Sequence, residues 1–401
     1  MTNGVRDCVP PLSDRRDEQS VVPRPDQSVS NTEREVRLDS TYPTKLNLQI
    51  HGLRGLSALA VFIYHLYAMS MLFNFWPAVL ARADIFFKAG SYGVEIFFII
   101  SGYLITASLI RHQSAKKFLI DRCIRIYPVF LAIHLLVFTV GPIIHYKWMA
   151  GISVWHWSEA FISNGLFLPG IFPLPLAQLN AWSLSYEAAF YLVTAGVFAA
   201  AAIARRRLVF MGAALVLIPA LLMVPRAAFF VVGVTIFFVN NRGMIQLPAL
   251  FRSLAVPSFI SVPILLTLGE HHRALTFVAM VPAFVFFWSI TQGKCGLSAF
   301  LRLRWLQYLG TISYSFYLWS PVVTYPLKIV ISRVFHASSN ELTPVLLFLV
   351  TGTAAAISVS HLSYRYLEEG CGRALRHWIH GRERDMRDST SASATATVTT
   401  S

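Results

Sequence analysis

The sequence predicts an all-α fold: a polytopic membrane helix bundle of about ten transmembrane helices, with both termini cytoplasmic. Three observations carry this. The 401-residue chain is 55% hydrophobic and only 13% charged, about half the charged share of a typical soluble domain. Its mean hydropathy is +0.55. Its apolar residues come in continuous runs of about 20, the length that crosses a bilayer core ~30 Å thick. These runs do not alternate with polar residues, which argues against a membrane β-barrel.

Taken in order, the chain opens with residues 1–44, polar and Pro-containing and without an apolar core. They are expected to form a disordered cytoplasmic arm and not a cleavable signal peptide. A membrane domain follows over 45–370, with spans at 53–72, 92–110, 126–145, 181–203, 208–224, 227–240, 254–269, 274–292, 311–332 and 343–364. The segment 146–180 is apolar but broken by Pro169, Pro173 and Pro175. As a full span it would carry Arg205, Arg206 and Arg207 to the outside. As a re-entrant or interfacial loop it keeps them inside. Residues 371–401 are expected to form a cytoplasmic tail, disordered in its low-complexity end "STSASATATVTTS".

The net charge of +14 follows this topology. Arg111, Lys116, Lys117, Arg122, Arg125, Arg205–Arg207, Arg242, Arg252, Lys294, Arg302, Arg304, Arg365, Arg373 and Arg376 fall in or beside the cytoplasmic segments. Scattered cations such as Arg82, Lys88, Lys147, Arg226 and Arg273 fall outside. That asymmetry orients the protein and makes a nucleic-acid partner a poor reading of the charge. Cys8, Cys123, Cys295 and Cys371 form no CxxC pair and no metal spacing, and all lie on the side where disulfides are not expected.

Ionisable side chains inside spans cost several kcal/mol and call for a functional explanation. In "RGLSALAVFIYH" (54–65), Arg54 and His65 are eleven steps apart, which at about 100° per residue puts them on one helical face. Glu95 sits near the outer mouth of the second span and Glu187 about 9 Å below the outer end of the fourth. His65 lies about 18 Å above residue 53, so in a ~30 Å core its depth nearly matches that of Glu187. The two are therefore expected to meet, the carboxylate fixing the imidazole tautomer and the imidazole taking a proton from an attacking hydroxyl. The simpler alternative is that each bonds to a neighbouring helix. Arg122 and Arg125, three residues apart at the inner boundary of the third span, share a face. They suit a polyphosphate or act as snorkelling anchors. In "TISYSFYLWSPVV" (311–323), Pro321 should kink the ninth span and free a backbone carbonyl.

These residues resemble the membrane acyltransferase family known as acyltransferase 3. The match runs through "HGLRGLSALAVFIYH", "GVEIFFIISGYLI", "RCIRIYPVF", "WSLSYEAAFYL", "GTISYSFYLWSPV" and "YRYLEE", over roughly 50–370 in the family's order. The resemblance implies transfer of an acyl group, often acetyl, from cytoplasmic acyl-CoA to a hydroxyl of a carbohydrate or lipid-linked glycan. It implies His65 as the catalytic residue, with Glu187 on the family's membrane glutamate as its expected catalytic partner. It also implies Arg122 and Arg125 as acyl-CoA-binding residues, to which Arg54 at the inner end is expected to add. Glu95, Ser101, Tyr103, Trp182, Tyr314 and Ser320 are expected to line the substrate pocket. The chain departs from the family in carrying His51 where many relatives have Asp, and Ser320 where many have His. No metal or resident redox cofactor is expected; acyl-CoA, acetyl-CoA first, is the donor substrate. The expected setting is a bacterial inner membrane, with a homo-oligomer left open. The rivals are a transporter of an acylated metabolite or glycan without chemistry, and a membrane scaffold whose tails recruit partners.

Overall fold

A computed structural model describes residues 47–72, 76–241, 253–269, 272–293, 295–335 and 342–379. The expected arm at 1–44 and the end of the tail lie outside these residues, as do Arg242, Arg252 and Lys294. Helix dominates and no strand forms among the described residues. The main helices are α1 (Leu48–Leu72), α2 (Gly93–His112), α3 (Ala115–Val140), α4 (Val154–Gly165), α5 (Ala181–Ile203) and α6 (Arg206–Met223). They continue with α7 (Phe229–Asn241), α8 (Ala255–Gly269), α9 (Met280–Thr291), α10 (Arg304–Val334) and α11 (Thr343–Ser363). Among the described residues, seven helical runs are long and apolar enough to cross a membrane. The protein is integral to the membrane. Of the ten expected spans, α7 and α8 are short, and α10 is long but rich in hydroxyl and tyrosine side chains.

The boundaries differ from expectation in three informative places. Helix α3 starts eleven residues before the apolar run, because "AKKFLIDRCIRI" is helix-competent and is capped by Ser114, whose side chain accepts from the Lys117 backbone N–H. Helix α10 is 31 residues long and unbroken through Pro321 and Pro326. The last span runs on from α11 through a π-helical stretch, Tyr364–Cys371, into helix to residue 379.

Segment 146–180 does not cross. Helix α4 is 12 residues, about 18 Å, against a core of ~30 Å. It packs back along α3: Trp157 meets Phe138 near the end of α3, and Gly165 approaches His134 while its carbonyl accepts from Tyr127. The chain then returns. Buried Asn164 clips the two limbs together, donating to the carbonyls of Ala160 and Pro175 (both 2.9 Å) and accepting from the Ala177 N–H at 3.0 Å. The proline-broken sequence thus makes a hairpin whose limbs are tied by internal hydrogen bonds.

Helix order follows from close contacts. Helices α1 and α10 run parallel and nearly touch, because a Cβ on Gly310 would collide with the His51 carbonyl. His51 Nε2 meets Thr311 Oγ1 at 3.1 Å, and Phe62 packs on Phe316 further along. Helix α2 runs antiparallel to α1 and parallel to α7, where Gly233 admits the Ile99 carbonyl at a distance no side chain allows. Small residues at helix crossings are what lipid-embedded packing requires. The arrangement gathers the starts of α1, α3 and α10 at one end, which is rich in arginine, with the ends of α2, α5 and α11.

Candidate active site

Two cavities in the bundle gather the ionisable side chains. The first, about 120 Å³, lies toward the arginine-rich end and is lined by Arg54 from α1, Ser101 from α2, Arg122 and Arg125 from α3, Glu187 and Tyr191 from α5, and Tyr314 from α10. Arg54 Nη2 donates to Ser313 Oγ at 3.1 Å. Arg122 Nη2 donates to Ser108 Oγ at 2.9 Å, and its guanidinium lies 5.5 Å from the centre of the Phe118 ring. Its Nε is buried with no hydrogen-bond partner. One oxygen of Glu187 accepts from Ser101 Oγ at 2.9 Å and from Tyr191 OH at 2.6 Å. Tyr314 OH donates to the Ile126 carbonyl at 2.8 Å. Beside this group Glu368, in the π-helical stretch, accepts from Ser315 Oγ at 3.1 Å and faces Arg54 and Arg125 electrostatically.

Arg122 and Arg125 are seven and ten residues into α3, about 10 and 15 Å along it, and both line this interior cavity.

The second cavity, about 580 Å³, opens toward the other end. His65, Tyr64 and Tyr92 line it, with Glu95, Trp182 and Arg226. Arg226 Nε donates to a Glu95 oxygen, pairing residues 131 apart in sequence, and its guanidinium lies 5.1 Å from the centre of the Trp182 ring. His65 Nδ1 is buried with no hydrogen-bond partner.

The expected pairing of His65 with Glu187 does not form. Glu187 belongs to the smaller cavity and is held by Ser101 and Tyr191; His65 belongs to the larger one. The structure puts them at different depths, Glu187 with Arg54 in the arginine-end cavity and His65 eleven residues, about 16 Å, further along α1. Depth counted from the ends of two spans does not show how far one helix is shifted along another. Two further corrections concern the pocket. Tyr103 lines neither cavity and packs edge-on against Phe237 and Phe287, at 5.7 and 5.8 Å between ring centres. Two residues from Ser101 is about 200° around a helix, so the two cannot share a face. Ser320 also lines neither; it is 2% exposed and bonded back to the Phe316 carbonyl of its own helix. Glu95, Ser101, Trp182 and Tyr314 do reach a cavity.

Three residues escaped the sequence reading as site residues: Tyr191, Arg226 and Glu368. Tyr191 had a usable signal, since it stands four residues after Glu187 and so on the same face. Glu368 stood in view in "YRYLEE", but its direction depends on the π-helical turn. Such turns concentrate at functional sites and leave no mark in the hydrophobic pattern.

A family model described as an acyltransferase domain matches residues 47–364. The chain belongs to this acyltransferase-domain family. Among curated proteins it is similar to the peptidoglycan O-acetyltransferase OatA of Listeria monocytogenes, 34% identical over 38% of this chain and 24% of the relative. It is similar to the acyltransferase MdmB of Streptomyces mycarofaciens, 33% identical over 35% of this chain and 36% of the relative. It also resembles nodulation protein 10 of Rhizobium leguminosarum, 31% identical over 27% of this chain and 33% of that protein. The chain spans about a quarter to a third of the length of these curated relatives. No solved structure matches.

Proposed function

We propose that the protein is a membrane-embedded O-acyltransferase that moves an acyl group, acetyl first, from acyl-CoA to a hydroxyl of a carbohydrate or lipid-linked glycan. The observation that carries this is the division of the bundle interior: an arginine-lined cavity on one side, a larger chamber holding His65 on the other, meeting inside one family domain. The donor enters from the arginine-rich end, which the positive-inside rule makes cytoplasmic. The smaller cavity, about 120 Å³, suits the acyl end of a thioester and leaves the nucleotide at the cytoplasmic end. Arg54, Arg122 and Arg125 draw the anionic donor in, and the unpartnered Nε of Arg122 offers a donor to one of its oxygens. Glu187 and Glu368 offset part of that positive charge and hold the arginines apart.

The acceptor occupies the larger chamber, whose volume is in the range of small-molecule sites and whose Trp and Tyr walls suit sugar rings. His65 takes the proton as the hydroxyl oxygen forms its bond to the thioester carbonyl carbon. The carbon–sulfur bond then breaks, the thiolate leaves toward the cytoplasm, and the proton returns to it. Glu187 acts in this scheme as a positioning residue of the donor cavity. A relative named as a peptidoglycan O-acetyltransferase supports a glycan hydroxyl as acceptor, and the bacterial relatives support a plasma-membrane setting. The test is acetyl transfer from labelled acetyl-CoA by purified protein in nanodiscs, with mass analysis of glycans and glycosides from cells with and without the gene. Loss of one acetyl mass from a glycan, and transfer that needs His65, is the expected result. Export of an intact acylated compound without any transfer would replace the enzyme reading by a transporter.

A further inference from the structure

Among the described residues, only Val94 of α2 and Tyr317 of α10 line both cavities. Tyr317 is fixed at three points. Its hydroxyl meets Ser183 Oγ at 2.7 Å. Its carbonyl accepts from Asn180 Nδ2 at 2.5 Å, a bond that exists because Pro321, four residues on, has no N–H to occupy that carbonyl. Its ring tilts against Phe97 with 5.9 Å between centres. Asn180 and Ser183 both belong to the start of α5, so that helix anchors the tyrosine from backbone and side chain at once. Val94, 4% exposed, is locked in the same core.

We infer that Val94 and Tyr317 set the size of the acyl group that the protein transfers, restricting it to short chains. The inference rests on the donor and acceptor assignment above. If the thioester arrives from the arginine cavity and the hydroxyl stands beside His65, the reacting carbonyl lies at the boundary between the chambers. The rest of the acyl chain must then pack against the two side chains that form that boundary. Both are held, so neither yields cheaply to an extra methylene, and close-packed interiors penalise added volume. Tyr317 and Val94 are therefore specificity-determining residues and take no part in proton transfer.

The experiment measures thiol release from acetyl-, propionyl- and butyryl-CoA by the full chain in nanodiscs, with N-acetylglucosamine glycoside as probe acceptor. One methylene in a shaped pocket discriminates by roughly 10–200-fold. Wild type should favour acetyl-CoA, and Val94→Ala should raise the butyryl-to-acetyl ratio of kcat/KM by about tenfold or more. Tyr317→Phe and Ser183→Ala, which both release the ring from its anchor, should raise it by similar smaller factors. Val345→Ala, an equal truncation buried in a different cluster, should leave the ratio as it is. Thiol release with the same ratio in wild type, Val94→Ala and Tyr317→Phe would overturn this inference alone. Absence of thiol release by wild type from all three thioesters would overturn the donor assignment and this inference with it.

Discussion

At the scale of single residues, the site sorts its ionisable groups by whom they face. His65 faces a chamber and bonds to nothing in its own protein, the condition a proton acceptor for a bound hydroxyl needs. His65→Ala should lower acetyl transfer by roughly 10²–10⁴-fold, the usual weight of a general base. Equal transfer by wild type and variant in the nanodisc assay would remove His65 from the chemistry. Glu95 faces Arg226 instead, and its buried charge depends on that partner. Arg226→Met should destabilise the protein by about 1–3 kcal/mol, less than a fully buried pair because the Arg226 side chain is 40% exposed. Adding Glu95→Gln to that variant should restore much of the loss, since the uncompensated carboxylate is then gone; thermal unfolding in detergent reads both. The sequence showed Glu95 as a misplaced charge. It could not show a partner 131 positions away.

At the scale of elements, the decisive piece is the hairpin of α4 and its return. The prolines marked 146–180 as broken, and α4, at 12 residues, is too short to cross by itself. What the sequence could not show is the clip. Asn164 bonds three backbone groups on two limbs, so Asn164→Ala leaves the buried Ala177 N–H and the Pro175 carbonyl short of a partner, while the Ala160 carbonyl keeps Ser163 Oγ. A cost of about 1–3 kcal/mol for each unsatisfied group is expected, seen as a lowered unfolding midpoint and faster proteolysis between Pro169 and Pro175. An unchanged midpoint would mean that the limbs hold by apolar packing alone. The case of α10 is complementary. Pro321 announced a freed carbonyl, and that carbonyl, on Tyr317, is taken by Asn180. The element was legible; the tyrosine's place between two cavities was not.

At the scale of the whole molecule, the contacts make successive spans alternate in direction, with the hairpin at the end opposite to the arginines. In a variant with Cys8, Cys123, Cys295 and Cys371 replaced by Ser, Trp155→Cys and Leu303→Cys should react with a membrane-impermeant thiol reagent from opposite faces. Labelling of both from the same face would break the topology. The sequence by itself determined the class of fold, the approximate spans and the side to which the chain's cations go. Each depends on hydrophobicity summed along the chain, and on charge counted between the runs. It also placed the arginines and the histidine on their helices by period. Only the tertiary structure decided that His65 and Glu187 look into different cavities, and that Val94 and Tyr317 stand between them. Hydropathy fixes where along a helix a residue sits. Which way its side chain points is settled by the helices that pack around it.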